Sequence, residues 1–438
     1  MDYDSELILQ YIDSYLQEHY CIICEPDFED ILIDDIKYML GVYPDNIYWE
    51  DMTEPLLECV YLYYVYFMPR RSFDTTFICN SKPLPELTLQ IDQIKQKSQT
   101  TQKTDEWYHM RHNLITASNL YKIFDSVCVQ NELIYEKCKP YVNSNMNIHT
   151  NTESSLNWGN KYEPVSIMIY EEIFSTQIDN IGCITHDHYS FLGASPDGIN
   201  VNPNSQRYGR LLEIKNVKSR EIDGTVSKPY WVQTQLQMEV CNLNECDFLE
   251  TKFTEYENYN AFVKDNFEDD DGDNNKKNVG QIYTNNKIDY AESVESVEDV
   301  DEDNLSVNTN NTSSNECKYR YSGVILYFHK PSEPPCYVYK PLHIKTLDDI
   351  QTWEEKIIQE YETKGYQWIT NYYWKLVVFN CVLILRNPFW FNSSIKDIIK
   401  FWDLIQEERI TGYSHRAPAS KKNKVSISIS SPIIEAPK

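Results

Sequence analysis

Apolar residues in the first part of the chain have helical spacing. They recur every three or four positions and include Leu7, Ile8, Tyr11, Ile12, Tyr15 and Leu16. This spacing is typical of amphipathic helices, and acidic residues fill the positions between them. The pattern predicts a mostly helical region over residues 1–95 with an acidic outer face. The polar stretch 95–104 that follows is typical of a linker.

After residue 104 the pattern changes to helices and strands separated by turn signals. Helical periodicity is found at 158–174 and 230–243, and strand-like runs at 191–194 and 211–217. Residues 265–315 are mainly Asp, Glu, Asn and Ser, a composition that predicts disorder. Beyond them, strands are predicted at 319–328 and 337–339, and helices at 347–364, 372–385 and 394–406.

These patterns divide the chain into five segments. An acidic, mainly helical region of unknown role (1–95) precedes a mixed core (96–264) and a disordered acidic insertion (265–315). The core then continues over 316–415, and a basic, flexible tail occupies 416–438. A nuclear localisation signal or a phosphate-binding tail is the alternative for the last segment.

The charge of the chain is concentrated in two of these segments. The formal net charge is −27, yet residues 1–60 hold 16 acidic residues against one basic residue, and 265–303 hold 14 against three. The remainder is close to neutral. A nucleic-acid partner, which needs concentrated positive charge, is therefore not excluded for the core.

Several classes of function are disfavoured by what the sequence lacks. The 12 glycines form neither of the common phosphate-binding loops, so no nucleotide cofactor is expected. No apolar run is long enough to span a bilayer, and the acidic N-terminus lacks the basic start of a signal peptide. We therefore expect an intracellular protein that is neither secreted nor bound to a membrane. The 12 scattered cysteines favour buried thiols in a reducing compartment over a metal site.

The most informative residues are an aspartate in a turn and two charged residues on a strand. Asp197 lies in a Pro-Asp-Gly turn, and Glu213 and Lys215 follow on one face of the strand 211–217. Two carboxylates and a lysine at one point suit a hard cation, Mg²⁺ or Mn²⁺, with the lysine acting on an attacking water. The alternative is a β-hairpin that carries a surface Glu/Lys pair.

Neighbouring segments add further polar residues. Glu163 begins the apolar face of the helix 158–174, where a cation is the expected partner for its carboxylate. The alternative is a solvent-facing glutamate in the first turn, stabilised by the helix dipole. Gln233 and Gln237 lie one turn apart beside the buried stripe of the helix 230–243. Arg111 and Ser118, seven residues apart, are ordinary phosphate ligands or surface residues.

In this order the motifs resemble the YqaJ viral recombinase family, a lambda-exonuclease-like branch of the PD-(D/E)XK nucleases, in the version carried by large DNA viruses. The residues that carry the resemblance are Trp107, Arg111, Ile115-Thr116-Ala117-Ser118, Gly159, Tyr162-Glu163-Pro164, Ala194-Ser195-Pro196-Asp197-Gly198, Leu212-Glu213-Ile214-Lys215 and Gln233-Thr234-Gln235. The resemblance implies an α/β (α+β) fold with a restriction-endonuclease-like core, in which helices flank a mixed central sheet.

The resemblance also implies a role for each matching residue. Asp197 and Glu213 are the expected metal ligands, assisted by the Ile214 carbonyl, and Lys215 is expected to position the water. Glu163 would be the third carboxylate, at a second metal or through a water. Gln233 would lie beside the catalytic residues, and Arg111 and Ser118 would bind the 5′-terminal phosphate.

One further ligand and one departure from the family are less well defined by the sequence. Asp187 matches a further acidic position, although His186 and His188 beside it offer a competing metal pair. Asn216 stands where relatives carry Cys-Pro. No cysteine triplet follows the core, so an iron–sulfur cluster of the kind held by some related nucleases is not expected.

The leading hypothesis is a Mg²⁺-dependent deoxyribonuclease that degrades linear duplex DNA from its 5′ ends during viral recombination or repair. DNA ends, a single-strand annealing protein and further copies of the chain are the candidate partners, and the virion is an alternative location to the infected cell. A structure-selective endonuclease and a non-catalytic DNA-binding or scaffold protein on the same core are the alternatives.

Overall fold

The computed structural model describes residues 5–78, 83–97, 100, 102, 104–141, 155–268, 281–283, 321–331 and 333–418. Its α-helices are α1 (Ser5–Glu18), α2 (Phe28–Met39), α3 (Thr53–Tyr66), α4 (Leu84–Gln96), α5 (Asp105–His112), α6 (Ala117–Leu120), α7 (Val127–Cys138), α8 (Ser155–Phe174), α9 (Lys228–Cys241), α10 (Tyr259–Phe267), α11 (Leu347–Thr363) and α12 (Pro388–Thr411). In this part of the chain no helix has both the length and the apolar character needed to cross a membrane.

Strands from the whole length of the chain build one large mixed sheet and one small one. The strands are β1 (Phe73–Asp74), β2 (Ile115–Thr116), β3 (Ile178–Asp179), β4 (Ile184–Thr185), β5 (Leu192–Ala194), β6 (Gly198–Asn200), β7 (Leu211–Asn216), β8 (Glu245–Glu255), β9 (Gln281–Tyr283), β10 (Ser322–His329), β11 (Cys336–Tyr339) and β12 (Gln367–Leu385). The large sheet runs β11-β10-β12-β8-β7-β6-β3, with β1 and β9 also paired to β12, and the small one runs β2-β5-β4.

Helices cover both faces of the large sheet. α8 packs Tyr162, Val165 and Ile169 against one face, where Leu212 and Ile214 of β7 lie. α9 and α12 pack in a second hydrophobic cluster that contains Phe248 of β8. The expected fold, a mixed central sheet flanked by helices, is confirmed.

The prediction of a helix over residues 372–385 is wrong, because this segment belongs to the long strand β12. β12 pairs with β8 through Trp374–Leu385 and with β10 through Gln367–Lys375. The strand carries apolar residues, many of them β-branched or aromatic, on both of its faces, because it is central in the sheet. A short apolar run of this kind cannot be assigned to strand or helix from its periodicity alone.

The N-terminal helices share a hydrophobic core with the rest of the chain. Side chains of α1, α2 and α3 belong to the same cluster as those of α9 and α12. The Trp231 indole of α9 donates to the Arg71 carbonyl oxygen at 3.0 Å, and β1 pairs with β12. The acidic region is therefore packed directly on the sheet domain rather than tethered to it.

Much of the acidic insertion and of the basic tail lies outside the described residues. Within the insertion predicted for 265–315, α10 extends to Phe267, and 281–283 form β9 on β12. In these short stretches apolar Phe267, Ile282 and Tyr283 interrupt the polar composition, and for the rest of the insertion disorder stays a prediction.

Candidate active site

Asp197 is positioned by the turn between β5 and β6. Its N–H donates to the Leu212 carbonyl oxygen at 3.1 Å, and its Oδ2 accepts the Ile214 N–H at 2.7 Å. Gly198 follows because a Cβ atom at this position would lie 2.2 Å from the Ile178 side chain. The Pro-Asp-Gly turn thus brings the carboxylate beside the middle of β7.

Glu213 is buried at the centre of the site and is held by three donors. Its Oε1 accepts from Lys215 Nζ at 2.5 Å and from Gln233 Nε2 at 2.6 Å. Its Oε2 accepts from Gln237 Nε2 at 2.6 Å. The side chain is only 2% exposed. A carboxylate this well hydrogen-bonded has a fixed orientation before any ligand binds.

Lys215 lies on the same face of β7 as Glu213 because side chains alternate along a strand. Its Nζ also approaches Gln233 Oε1 at 3.4 Å and lies 4.8 Å from the centre of the Tyr230 ring. Burial alone would lower the pKa of Lys215, but the carboxylates of Glu213 and Asp197 raise it above its ordinary value. The ammonium form is therefore stabilised, and Lys215 acts as a hydrogen-bond donor.

Asp197 experiences several negative charges. Burial raises the pKa of Asp197 well above its ordinary value, and the carboxylates of Glu213 and Glu163 raise it further. Lys215 and the Ile214 N–H act in the opposite direction without cancelling this effect. Such a site gains stability from a cation.

Glu163 approaches this group from α8. The helix begins at Ser155, so Glu163 is eight residues from its start and the first-turn alternative does not apply. Its carboxylate is near enough to influence Asp197, and it also acts on Tyr339 of β11. The structure thus brings three carboxylates from α8, the β5–β6 turn and β7 to one region.

Arg111 and Ser118 also lie together, next to the small sheet. Arg111 Nη2 donates to Ser118 Oγ at 2.8 Å, and its guanidinium stacks over Trp107 at 4.3 Å from the ring centre. Burial lowers the pKa of Arg111, whereas the negative charge of Glu213 opposes this shift. The pair is therefore within electrostatic reach of the carboxylate site.

The structure does not bring Asp187 into the group. Its side chain is 64% exposed and pairs with Lys97 at 2.7 Å. His186 Nδ1 accepts the N–H groups of His188 and Tyr189. Asp187 therefore has the environment of a surface ion pair, and its role as a metal ligand stays a prediction. The signal was weak because Asp187 sits beyond a strand end, where register cannot be read from sequence.

The donor set fits a magnesium ion better than a softer metal. Within the described residues, no three His, Cys, Asp or Glu side chains form a ready ligand cluster. Mg²⁺ typically uses one or two carboxylates and keeps several waters, so Asp197 and Glu213 with a backbone carbonyl are sufficient. Asp197 accepts the Ile214 N–H through Oδ2, so its carboxylate is already oriented beside β7.

Replacing Asp197 by asparagine is expected to raise the melting temperature of the metal-free protein at pH 8. The raised pKa of Asp197 means that the folded state binds this proton more readily than the unfolded state. Stability therefore falls as the pH rises from the ordinary value of 3.8 through the raised one, and Asp197→Asn removes that loss. Thermal melts in chelator across this pH range measure the effect.

Added Mg²⁺ gives the complementary result. It should raise the melting temperature of the native protein and leave that of Asp197→Asn unchanged. Asp187→Asn is the matched control and should keep the full response to Mg²⁺. A response lost in Asp187→Asn and kept in Asp197→Asn would reverse the assignment.

Two contributors to the site were not identified as such from the sequence. Gln237 binds the second oxygen of Glu213, and its spacing of four residues from Gln233 was the available signal. Asn216 accepts from Ser166 and Thr251 at 2.7 Å and donates to the Gly159 carbonyl oxygen at 3.0 Å. It therefore fixes α8, and with it Glu163, against β7.

Comparison with known proteins supports the resemblance seen in the motifs. Residues 106–251 match the family model described as the YqaJ-like viral recombinase domain, which confirms that prediction for the core. The chain is 29% identical over 336 residues to an uncharacterized protein of Acanthamoeba polyphaga mimivirus. This match covers 72% of the chain and 54% of the relative, so the chain spans about half the length of that protein.

Among solved structures, the chain is similar to an alkaline exonuclease, LHK-Exo, from Laribacter hongkongensis. The match has 23% identity and a TM-score of 0.27, and it covers 34% of this chain and 74% of that one. The same exonuclease in complex with dAMP matches at 22% identity and a TM-score of 0.26, covering 34% and 73%.

Proposed function

We propose that this chain is a metal-dependent deoxyribonuclease that acts as a 5′→3′ exonuclease on linear duplex DNA. The observation that carries the proposal is the convergence of Asp197, Glu213 and Lys215 at β7, with Glu213 fixed by Lys215, Gln233 and Gln237. The YqaJ-like match over residues 106–251 contains all five residues. A role in viral DNA recombination or repair is consistent with that match and with the mimivirus relative.

Asp197, Glu213 and the Ile214 carbonyl would hold Mg²⁺ or Mn²⁺, and Glu163 would contribute through a water or at a second ion. When bound, the metal lowers the pKa of a water and neutralises charge on the scissile phosphate. Lys215, kept as an ammonium by its carboxylate neighbours, donates a hydrogen bond that orients the attacking water. Gln233 and Gln237 hold the Glu213 carboxylate in a fixed orientation through hydrogen bonds to its two oxygens.

Arg111 and Ser118 supply the preference for DNA ends. A guanidinium and a hydroxyl 2.8 Å apart can bind one phosphate together. The negative charge of Glu213 acts on Arg111, which supports a terminal phosphate bound by this pair lying near the metal site. A terminal phosphate carries more negative charge than an internal one, so this pair favours a 5′-phosphorylated end.

Digestion of labelled DNA tests the proposal. The purified chain should degrade linear 5′-phosphorylated duplex with Mg²⁺, lose activity in chelator, and leave covalently closed circles intact. Equal cleavage of circular and linear DNA would contradict the exonuclease and favour a structure-selective endonuclease. DNA binding without cleavage in either metal would favour the non-catalytic alternative.

Arg111→Ala is expected to lower the rate on 5′-phosphorylated ends about tenfold or more and to remove the difference between phosphorylated and hydroxyl ends. Arg70→Ala is the control. The Arg70 side chain is 47% exposed and its carboxylate partner, 3.9 Å away, is Glu29 of the N-terminal region. This variant should keep the native rate and the preference for phosphorylated ends. An unchanged preference for phosphorylated ends in Arg111→Ala would contradict the assigned role.

A further inference from the structure

Aromatic rings with associated lysines continue from the carboxylate site along one face of the large sheet. Trp158 lies on α8 five residues before Glu163, and its ring centre is 5.5 Å from Lys218 Nζ and 5.0 Å from Lys161 Nζ. Lys161 Nζ lies 3.9 Å from the ring centre of Tyr372 on β12. Lys218 follows Lys215 by three residues, so these rings begin next to the catalytic strand.

The rings continue across neighbouring strands. Tyr372 lies 6.4 Å from Tyr327 of β10, and Tyr327 stacks on Tyr337 of β11 at 5.2 Å with 28° between the planes. Tyr327 and Tyr337 are direct cross-strand partners. We call Trp158, Tyr372, Tyr327 and Tyr337 the aromatic track. All four are partly exposed, so their rings are accessible at the surface.

Two kinds of positive charge accompany the aromatic track. Lys161 is buried and paired with Glu255, which fixes its ammonium beneath the rings of Trp158 and Tyr372. Lys218 is exposed at the start of the track. Surfaces that bind single strands typically combine aromatic rings, on which bases stack, with lysines that bind the phosphates.

The aromatic track also meets the carboxylate site at its other side. Tyr339, two residues after Tyr337, is partly buried, and the negative charge of Glu163 acts on its hydroxyl group. A strand bound along the track would therefore reach the site near Glu163. Paired bases have both faces already stacked, so this surface fits unpaired DNA rather than a duplex.

Cross-strand aromatic pairs also stabilise sheets, and Trp158, Tyr337 and Tyr372 do pack against the hydrophobic cluster beneath them. That role requires only one edge or face of each ring. It does not account for an exposed lysine over Trp158 next to the catalytic strand. The charge, the accessibility and the continuity with the site all agree with a nucleic-acid strand.

We propose that the aromatic track, with Lys218, binds single-stranded DNA next to the active site and holds the unpaired strand of the substrate during cleavage. The inference rests on the proposed nuclease function, and it adds that the DNA bound next to the active site is single-stranded.

The test measures binding of a fluorescein-labelled oligothymidylate to the full chain by anisotropy in chelator, where no cleavage occurs. Trp158→Leu and Tyr327→Leu should each weaken binding about tenfold, whereas Trp158→Phe and Tyr327→Phe, which keep a ring, should bind nearly as the native chain. Lys218→Ala should weaken binding and reduce its dependence on salt concentration by about one counterion.

Matched controls come from the opposite face of the same sheet. Lys364, directly after α11, is exposed and lies 4.7 Å from the ring centre of Tyr361 on that helix, so it reproduces the lysine–ring pair. Trp368 is 42% exposed on β12 and pairs with Phe328, which packs under α11. Lys364→Ala and Trp368→Leu should bind oligothymidylate as the native chain does.

Native affinity in Trp158→Leu and Lys218→Ala would overturn the inference, and so would equal losses in the two controls. Melting temperatures identify any variant that unfolds. If the ring variants unfold, the affinity of Lys218→Ala tests the inference, because truncating an exposed side chain opens no cavity. If the chain binds oligothymidylate through the track and cleaves no DNA, the proposed function fails while this inference stands. If the native chain cleaves DNA and the variants bind oligothymidylate as the native chain does, this inference fails while the proposed function stands.

Discussion

Replacement of Lys215 by methionine is expected to lower the rate of DNA cleavage by about 10³–10⁴-fold while binding of DNA is largely retained. Methionine keeps the length and apolar stem of lysine but has no ammonium group. The variant loses the donor that lies 2.5 Å from Glu213 and that, in the proposed mechanism, orients the attacking water. Single-turnover digestion of end-labelled duplex in Mg²⁺ measures the effect on the chemical step.

Lys375→Met is the matched control for this experiment. The two lysine side chains are almost equally exposed, 23% for Lys215 and 24% for Lys375, and each is paired with a carboxylate. Lys375 of β12 pairs with Asp265, outside the carboxylate site. The Lys375→Met variant should therefore keep near-native activity. Comparable activity in the two variants would contradict the catalytic role of Lys215.

Loss of Arg210 is expected to destabilise the protein by about 3–5 kcal/mol, because it breaks a buried ion-pair network. Arg210 is 2% exposed and Asp247 is fully buried. The Arg210 guanidinium donates to Asp247 at 3.1 Å, to Glu245 at 2.7 Å and to the Phe77 carbonyl oxygen at 2.8 Å. Arg210→Met leaves Glu245 and the Phe77 carbonyl oxygen without these donors, and it removes one of the two guanidinium groups that pair with the fully buried Asp247.

The same substitution should loosen the N-terminal region. Arg207 and Arg210 both donate to the Thr75 carbonyl oxygen, so the two arginines hold the segment after β1 against the sheet. Denaturant titration gives the stability, and limited proteolysis reports whether residues 73–77 become accessible. Lys95→Met removes an exposed pair with Asp179 and should cost less than about 1 kcal/mol. Equal effects of the two substitutions would show that the buried network adds no stability.

Local sequence signals located the chemical groups of the site but not their partners. The Pro-Asp-Gly turn and the alternation of β7 indicated that Asp197, Glu213 and Lys215 could meet, and the structure places them in contact or in electrostatic reach. Gln237 was visible only as a helix position beside Gln233. Its hydrogen bond to Glu213 depends on how α9 is rotated over β7, and no local pattern encodes that rotation.

The failures of sequence-based prediction have the same cause. β12 was assigned to a helix because a strand apolar on both faces has no clear period, and its nature depends on pairing with β8 and β10. Asp187 was grouped with the metal ligands because it matches an acidic position of the family, and the structure pairs it with Lys97. Both cases depend on partners that are remote in sequence.

The sequence by itself determined the order of the motifs, the YqaJ-like resemblance of the core and the separation of acidic segments from the near-neutral remainder, because these depend on residue type and short-range spacing. The tertiary structure decided which carboxylates meet, which glutamines hold Glu213, and that the N-terminal helices pack on the sheet domain. It also placed Trp158, Tyr372, Tyr327 and Tyr337, from four separate elements, on one face. Contacts of this kind join residues far apart in the chain, and they are set by strand pairing and helix packing rather than by local propensity.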